Sequence, residues 1–402
     1  MPRSAEAIVK PQMLIWARES SSYAMDQAAR KLDVPLSRLA QWEQGRLRPT
    51  ITQLRSMAAL YKRPLAAFYL PEVPPPARRI HDFRRVAQAD RTEISAVLAI
   101  EIRKARNRRS IALELREQMG EATVRLGSHA RVGQDPDKLA EWIRMHLGIS
   151  IKDQMGWHDR GKALREWKRA VERAGVLVFE TASNPGIPLV EMRGFSIAEE
   201  QLPVIVLNGG DAQNGKIFTL LHEFAHLVLG GEGICDLEPK SVATSTDVEV
   251  FCNRVAGAVL VPGDSLVSEA LVQQNRGVAE WSDSDVAELA DRYSVSQEVV
   301  VRRLLLLDFT SGDFYYKKRK EYQQAEAERR QMDREAKRGR SGGPPPAQMA
   351  VRDNGVAYTR LVIEAYYGDK IDLSDLSEYL GIRVKHLRKI EDVVSRSGWP
   401  PQ

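Results

Sequence analysis

The chain has 402 residues, with 59 Lys and Arg against 54 Asp and Glu, giving a formal net charge of +5. That length exceeds one ordinary core, so two or three domains are expected; 43% hydrophobic residues are ample for folding, and 28% charged residues make the surface polar. Only two cysteines, Cys235 and Cys252, exclude a disulfide framework, while Met1 to Arg18 holds no apolar signal region and no run of 18 apolar residues occurs elsewhere, so a cytoplasmic protein without a membrane span is expected.

Residues 1–72 read as five short helices. Ala24 to Leu32 and Leu36 to Gln44 are separated by Asp33-Val34-Pro35, and the next helix starts after Pro49-Thr50. Ala28, Ala29, Leu32, Val34, Leu39 and Trp42 fall on one side of the two central helices, as a helix-turn-helix core requires. The segment Val34-Pro35-Leu36-Ser37-Arg38-Leu39-Ala40-Gln41-Trp42-Glu43-Gln44-Gly45-Arg46, closed by Arg48-Pro49, resembles the Cro/repressor type known as XRE. The resemblance implies a second helix in the major groove of an operator, with Ser37, Arg38 and Gln41 toward bases and Gln44, Arg46 and Arg48 toward phosphates. Asp33 stands where glycine is usual, and aspartate tolerates the left-handed backbone that the turn needs.

A helical connecting region is expected over 73–175, after the stiff Pro74-Pro75-Pro76. Basic residues cluster there at Arg78-Arg79, Arg84-Arg85 and Arg103 to Arg109, as either solvated helix faces or a nucleic-acid footprint. Trp142 and Trp167 read as core, and His146 and His158 as structural or surface histidines. Three β-rich runs follow, Val176 to Phe179, Leu189 to Ile197 and Leu202 to Leu207, bounded by Asn-Pro-Gly and Asn-Gly-Gly. The last of them, ending at Asn208, is expected as an edge on which an extended peptide could pair its backbone.

Leu221-His222-Glu223-Phe224-Ala225-His226 carries the chemistry. Histidines four apart lie one above the other on a helix, so both imidazoles can reach one metal ion about 2 Å away. Glu223 is offset by one residue, where a general base acting on water would stand without occupying the metal. The flanks, Ile217 to Leu221 and Leu227 to Leu229, make this helix apolar nearly all round, as for one buried in a core. A catalytic zinc needs a third protein ligand, for which Glu232, Cys235, Asp236, Glu238, Asp247 and Glu249 are candidates. The preference runs Glu249, Asp247, Cys235, because Glu249 opens a second helix whose Ala256, Gly257 and Ala258 allow close packing on the first, with Asn253 one turn behind it as a supporting residue.

Phe218 to His226, then Glu249-x-x-Cys252-Asn253 and Leu260-x-Pro262, together resemble the ImmA/IrrE family of zinc metallopeptidases. Glu191 to Ser196 and Pro203 to Asn208 are similar to the strands that precede the zinc helix in that family. The resemblance implies one zinc ion per chain held by His222, His226 and Glu249, Glu223 as the catalytic glutamate, and a metallopeptidase domain over 176–312. Ala287 to Ser296 and Glu298 to Leu307 repeat a helix-turn-helix rhythm, which the resemblance assigns to a subdomain packed near the active site. A charged helix and linker over 313–350 and a small helical domain over 351–402 complete an α+β, mostly α chain.

The expected function is that of a DNA-associated zinc metalloendopeptidase. The resemblance implies limited cleavage of a helix-turn-helix repressor, or of the chain itself, in phage, mobile-element or stress circuits. Tyr293, Arg302 and His158 are candidates for stabilising the oxyanion, and a homodimer is compatible with the sequence. The competing expectation is a transcription regulator or antitoxin-like binding protein whose zinc domain senses without cleaving.

Overall fold

The computed structural model describes residues 5–75, 94–122, 125–127, 130–182, 186–230, 245–337 and 344–397. Arg78, Arg79, Arg84 and Arg85 of the basic clusters, and Glu232, Cys235, Asp236 and Glu238 of the ligand candidates, lie outside these residues. The chain is α+β and mostly helical, and it divides into two compact units, with the division falling inside one long helix after Arg106. No described helix is long and apolar enough to cross a membrane.

The first unit contains α1 (Pro11–Glu19), α2 (Met25–Leu32), α3 (Leu36–Glu43), α4 (Ile51–Tyr61) and a closing 3-10 turn, Leu65–Tyr69. Asp33 ends α2 in the left-handed conformation, φ 54°, as the turn between α2 and α3 requires. Thr50 opens α4 with a capping box completed by Gln53. Ala28, Leu39, Trp42, Leu54 and Met57 are buried at its centre. Arg18 of α1 donates from Nε and Nη2 to both carboxylate oxygens of Glu43 at 2.7 and 2.9 Å, a buried bidentate pair that fixes the end of α3.

The first unit also takes in the N-terminal part of α5 (Ala96–Met119), making it larger than the 1–72 module read from sequence. The reason is Arg103, whose guanidinium donates to Ser20 O, Ser21 Oγ and Tyr61 O, satisfying carbonyls where α1 and α4 end. Burial, with Arg63 nearby, lowers its pKa to about 10.

The second unit holds α6 (Pro136–Leu147), α7 (Ile151–Met155), α8 (Arg160–Arg173), β1 (Leu177–Glu180), β2 (Gly194–Ile197), β3 (Val204–Leu207) and α9 (Gln213–Val228). Then come α10 (Ser245–Leu260), α11 (Gly263–Ser268), α12 (Ala270–Gln274), α13 (Asp283–Arg292), α14 (Gln297–Leu306), α15 (Gly312–Lys337), α16 (Pro346–Asn354), α17 (Val356–Tyr367), α18 (Leu373–Leu380) and α19 (Leu387–Ser395). The sheet runs β1-β3-β2, with β1 parallel and β2 antiparallel to β3. The strand ending at Asn208 is therefore central, which corrects the expectation that it forms an edge; among the described residues β2 is the edge, beside α9. The second predicted strand also begins late, at Gly194, because Glu191 N turns back onto Pro188 O.

The outer margin of β1 is covered. Leu177 N and Thr181 N bond toward β3, so by alternation the Val178 carbonyl points away from it. Gly355, with φ 73° and ψ 159°, joins α16 to α17 against that carbonyl, and a Cβ there would lie 2.4 Å from Val178 O and 2.6 Å from Glu172 Oε1. Burial raises the Glu172 carboxyl to about 7, offset in part by Lys168 and by the Ala357 and Val356 amides at the start of α17.

Arg108 and Arg109 of α5 also turn inward in this unit. Arg108 sits 5.1 Å above the Phe179 ring, and Arg109 donates to Gln201 O and Leu202 O. The charged run Arg103 to Arg109 thus serves packing through these three residues, and the footprint reading of them is set aside.

Candidate metal centre

α9 is buried on every side through its central turns, with Leu220, Leu221, Phe224, Ala225 and Val228 all at 0% exposure. Its entry is built by polar residues. Asn208 donates to Ile187 O and Met192 O at 2.9 and 2.7 Å and accepts from Gly210 N, so the crossing from β3 is pinned. Asp211 accepts from Ala212 N at 2.8 Å and pairs with Arg193 at 3.3 Å, placing negative charge at the helix N-terminus.

The following turns carry His222 and His226, whose Nε2 atoms lie 3.1 Å apart. Glu249, in the first turns of α10, brings Oε2 to 3.3 Å from His222 Nε2 and Oε1 to 3.2 Å from His226 Nε2. α10 packs along α9, which is how the two segments meet. These three form the one cluster of potential metal ligands among the described residues. Their spacing fits a cation: tetrahedral ligands with bonds of about 2.05 Å stand about 3.3 Å from one another. Their chemistry fits too, since two imidazoles and one carboxylate are borderline donors suited to zinc, and three leave a corner open. Burial pushes the Glu249 carboxyl upward, but hydrogen bonds from the two imidazoles outweigh it, so the group is held below the usual carboxylate range.

Glu223 is 2% exposed and lies outside this cluster. Ser196 Oγ of β2 donates to its Oε2 at 2.9 Å. Ser196 was not foreseen from sequence, although it closes the Glu191 to Ser196 segment and shares a strand face with Gly194 by the two-residue period. A Cβ on Gly194 would stand 2.4 Å from Thr219 Cγ2, 3.0 Å from Val206 O and 3.7 Å from Glu223 Cγ. Only glycine lets β2 lie this close to α9. Gly194→Ala is expected to lower stability by about 1–3 kcal/mol. Adding Thr219→Ser, which removes the clashing methyl, should recover part of that loss in a urea-denaturation midpoint. A double variant no more stable than Gly194→Ala would show that the contact does not carry the effect.

Other sequence candidates fall elsewhere. Asp247 is exposed and outside the cluster. Asn253 is half-buried one turn after Glu249. Cys252 is fully buried, and burial with the Glu249 and Glu223 charges pushes its thiol well up, which keeps it protonated. Tyr293 Oη bonds with Ser265 and Glu269, Arg302 with Tyr315 and Glu298, and His158 is exposed beside Arg160 and Asp291. None of these contacts places the three at the His222–His226–Glu249 cluster. α13 and α14 pack into this unit through Arg303, which donates to Val261 O at the end of α10.

In the first unit, Ser37 and Arg38 are exposed on the opening turn of α3, Gln41 is half-buried one turn later, and Gln44, Arg46 and Arg48 are exposed beyond it. Leu36, 50% exposed at the start of α3, joins that surface.

Residues 171–305 match the family described as the IrrE N-terminal-like domain, Peptidase_M78, and residues 14–68 match a helix-turn-helix family. The chain carries an ImmA/IrrE-type domain behind a helix-turn-helix. No curated protein and no solved structure matches it. The ImmA/IrrE-type match begins in α8 and ends in α14, so it encloses the sheet, α9, α10 and the whole candidate centre. The two matches make the chain a DNA-binding type of regulator with a metallopeptidase-like domain.

Proposed function

We propose that this ImmA/IrrE-type protein is a DNA-associated zinc metalloendopeptidase that regulates transcription in the cytoplasm by limited cleavage of a repressor-type protein or of itself. The observation that carries the reading is the convergence of His222, His226 and Glu249 with a second acidic residue, Glu223, buried alongside. Zinc held by the three ligands would supply Lewis-acid polarisation of a peptide carbonyl and lower the pKa of a water. Glu223 would be the residue that takes a proton from an attacking water and passes it to the leaving amine.

The edge strand supports substrate alignment. Asn208 N bonds to Arg193 O, so the backbone groups of Phe195 and Ile197 face β3 while those of Gly194 and Ser196 point away from it. An extended segment of substrate can pair there, beside Glu223. Ser37, Arg38 and Gln41 would meet operator bases, and Gln44, Arg46 and Arg48 phosphates, which would hold the peptidase near DNA-bound repressors.

The test is to incubate the full-length zinc-loaded chain with a panel of XRE-type repressors and to map fragments by mass spectrometry. Discrete fragments of a repressor or of the chain are expected to vanish with 1,10-phenanthroline and return with one equivalent of zinc. If neither yields fragments, a metal-sensing regulator that cleaves nothing becomes the better reading.

A further inference from the structure

We propose that Ser196 is a positioning residue that sets the orientation of the Glu223 carboxylate from the edge strand. The inference rests on the reading of Glu223 as the general base and adds the residue that aims it. Gly194 and Ser196 occupy one face of β2, two residues apart, and Thr219 and Glu223 one face of α9, four apart. The two faces meet in register: a Cβ on Gly194 would point at Thr219 Cγ2 and come within 3.7 Å of Glu223 Cγ, and the Ser196 hydroxyl reaches Glu223 Oε2 at 2.9 Å.

A glutamate side chain has three rotatable bonds, so burial alone does not fix the plane of its carboxylate. The strand supplies an anchor: the Ser196 hydroxyl holds one oxygen, which sets the direction of the other. Glu223 is one residue from His222, and a carboxylate free to swing could compete with Glu249 for the cation; the hydroxyl holds it in the role of base. The strand that would align substrate therefore also aligns the group that acts on it, so both share one frame of reference.

The isosteric pair Ser196→Thr and Ser196→Val tests the hydroxyl, since both residues favour strands and differ by that group. The readout is calorimetric binding of acetohydroxamate, a small zinc chelator whose acidic N–O–H a neighbouring carboxylate accepts, to the full-length zinc-loaded chain. Ser196→Val is expected to weaken acetohydroxamate roughly ten- to a hundredfold, the range for a hydrogen bond to a charged group. Ser196→Thr should retain most of the wild-type affinity, and zinc affinity should be the same in both variants. Glu223→Gln serves as the reference. If it weakens acetohydroxamate while the Thr and Val variants bind alike, the positioning role is overturned and the base assignment survives. If Glu223→Gln binds like wild type, the base assignment itself falls, and the positioning role with it. A loss of zinc affinity in Ser196→Val alone would also overturn the proposal, because the hydroxyl would then be supporting the ligands and not the base.

Discussion

Glu249→Ala is expected to weaken zinc binding on the order of 10²–10³-fold. Zinc at full protein coordination is worth about 10–16 kcal/mol, so one ligand accounts for roughly 3–4 kcal/mol of it. Glu249 is also the only anionic member of the three, and its oxygens lie within 3.3 Å of both imidazole nitrogens. Removing it leaves two neutral rings to hold a divalent ion. Competition against a chromophoric chelator at fixed pH measures the change, and Glu249→Asp, one methylene shorter, should fall between the two. Retention of wild-type affinity by Glu249→Ala would remove Glu249 from the ligand set and, with it, the case for a catalytic cation at this position.

The second large effect is expected in rate, with the ion still bound. Glu223→Gln preserves side-chain volume and an oxygen able to accept from Ser196, so the packing of β2 on α9 should persist. The amide cannot take a proton from water. Loss of a general base lowers turnover by about 10²–10⁴-fold. The measurement is the single-turnover appearance of the cleaved fragment beside the zinc content of the same sample. Equal rates in the two proteins, at equal zinc, would exclude Glu223 from proton transfer whatever its proximity to the ligands.

Much of this centre was legible because helical spacing converts directly into geometry. Two histidines four apart on an apolar helix predict adjacent imidazoles, and they are 3.1 Å apart. Glu249 was reachable by the same logic, since it opens the next helix with small residues along its packing face. The left-handed Asp33 and the capped start of α4 at Thr50 were likewise local facts, written in a few neighbouring residues.

What was not legible depended on contacts between distant parts of the chain. The order of strands is such a fact, although Val204 to Leu207 is buried at every residue, the pattern of a strand covered on both faces. Gly194 and Ser196 in β2 interrupt the apolar run, which suits an edge. Arg103 and Arg109 looked like a solvated basic face because their carbonyl partners lie 42 to 93 residues away. The Ser196 hydroxyl met Glu223 across 27 residues, with only the two-residue strand period to hint at its direction.

The junction glycine between α16 and α17 has a wider bearing. By seating on Val178 it covers the β1 flank of the three-stranded ribbon. Were the C-terminal helices lost, the β1 flank would be exposed, and a margin now closed would become one able to join copies of the chain strand to strand.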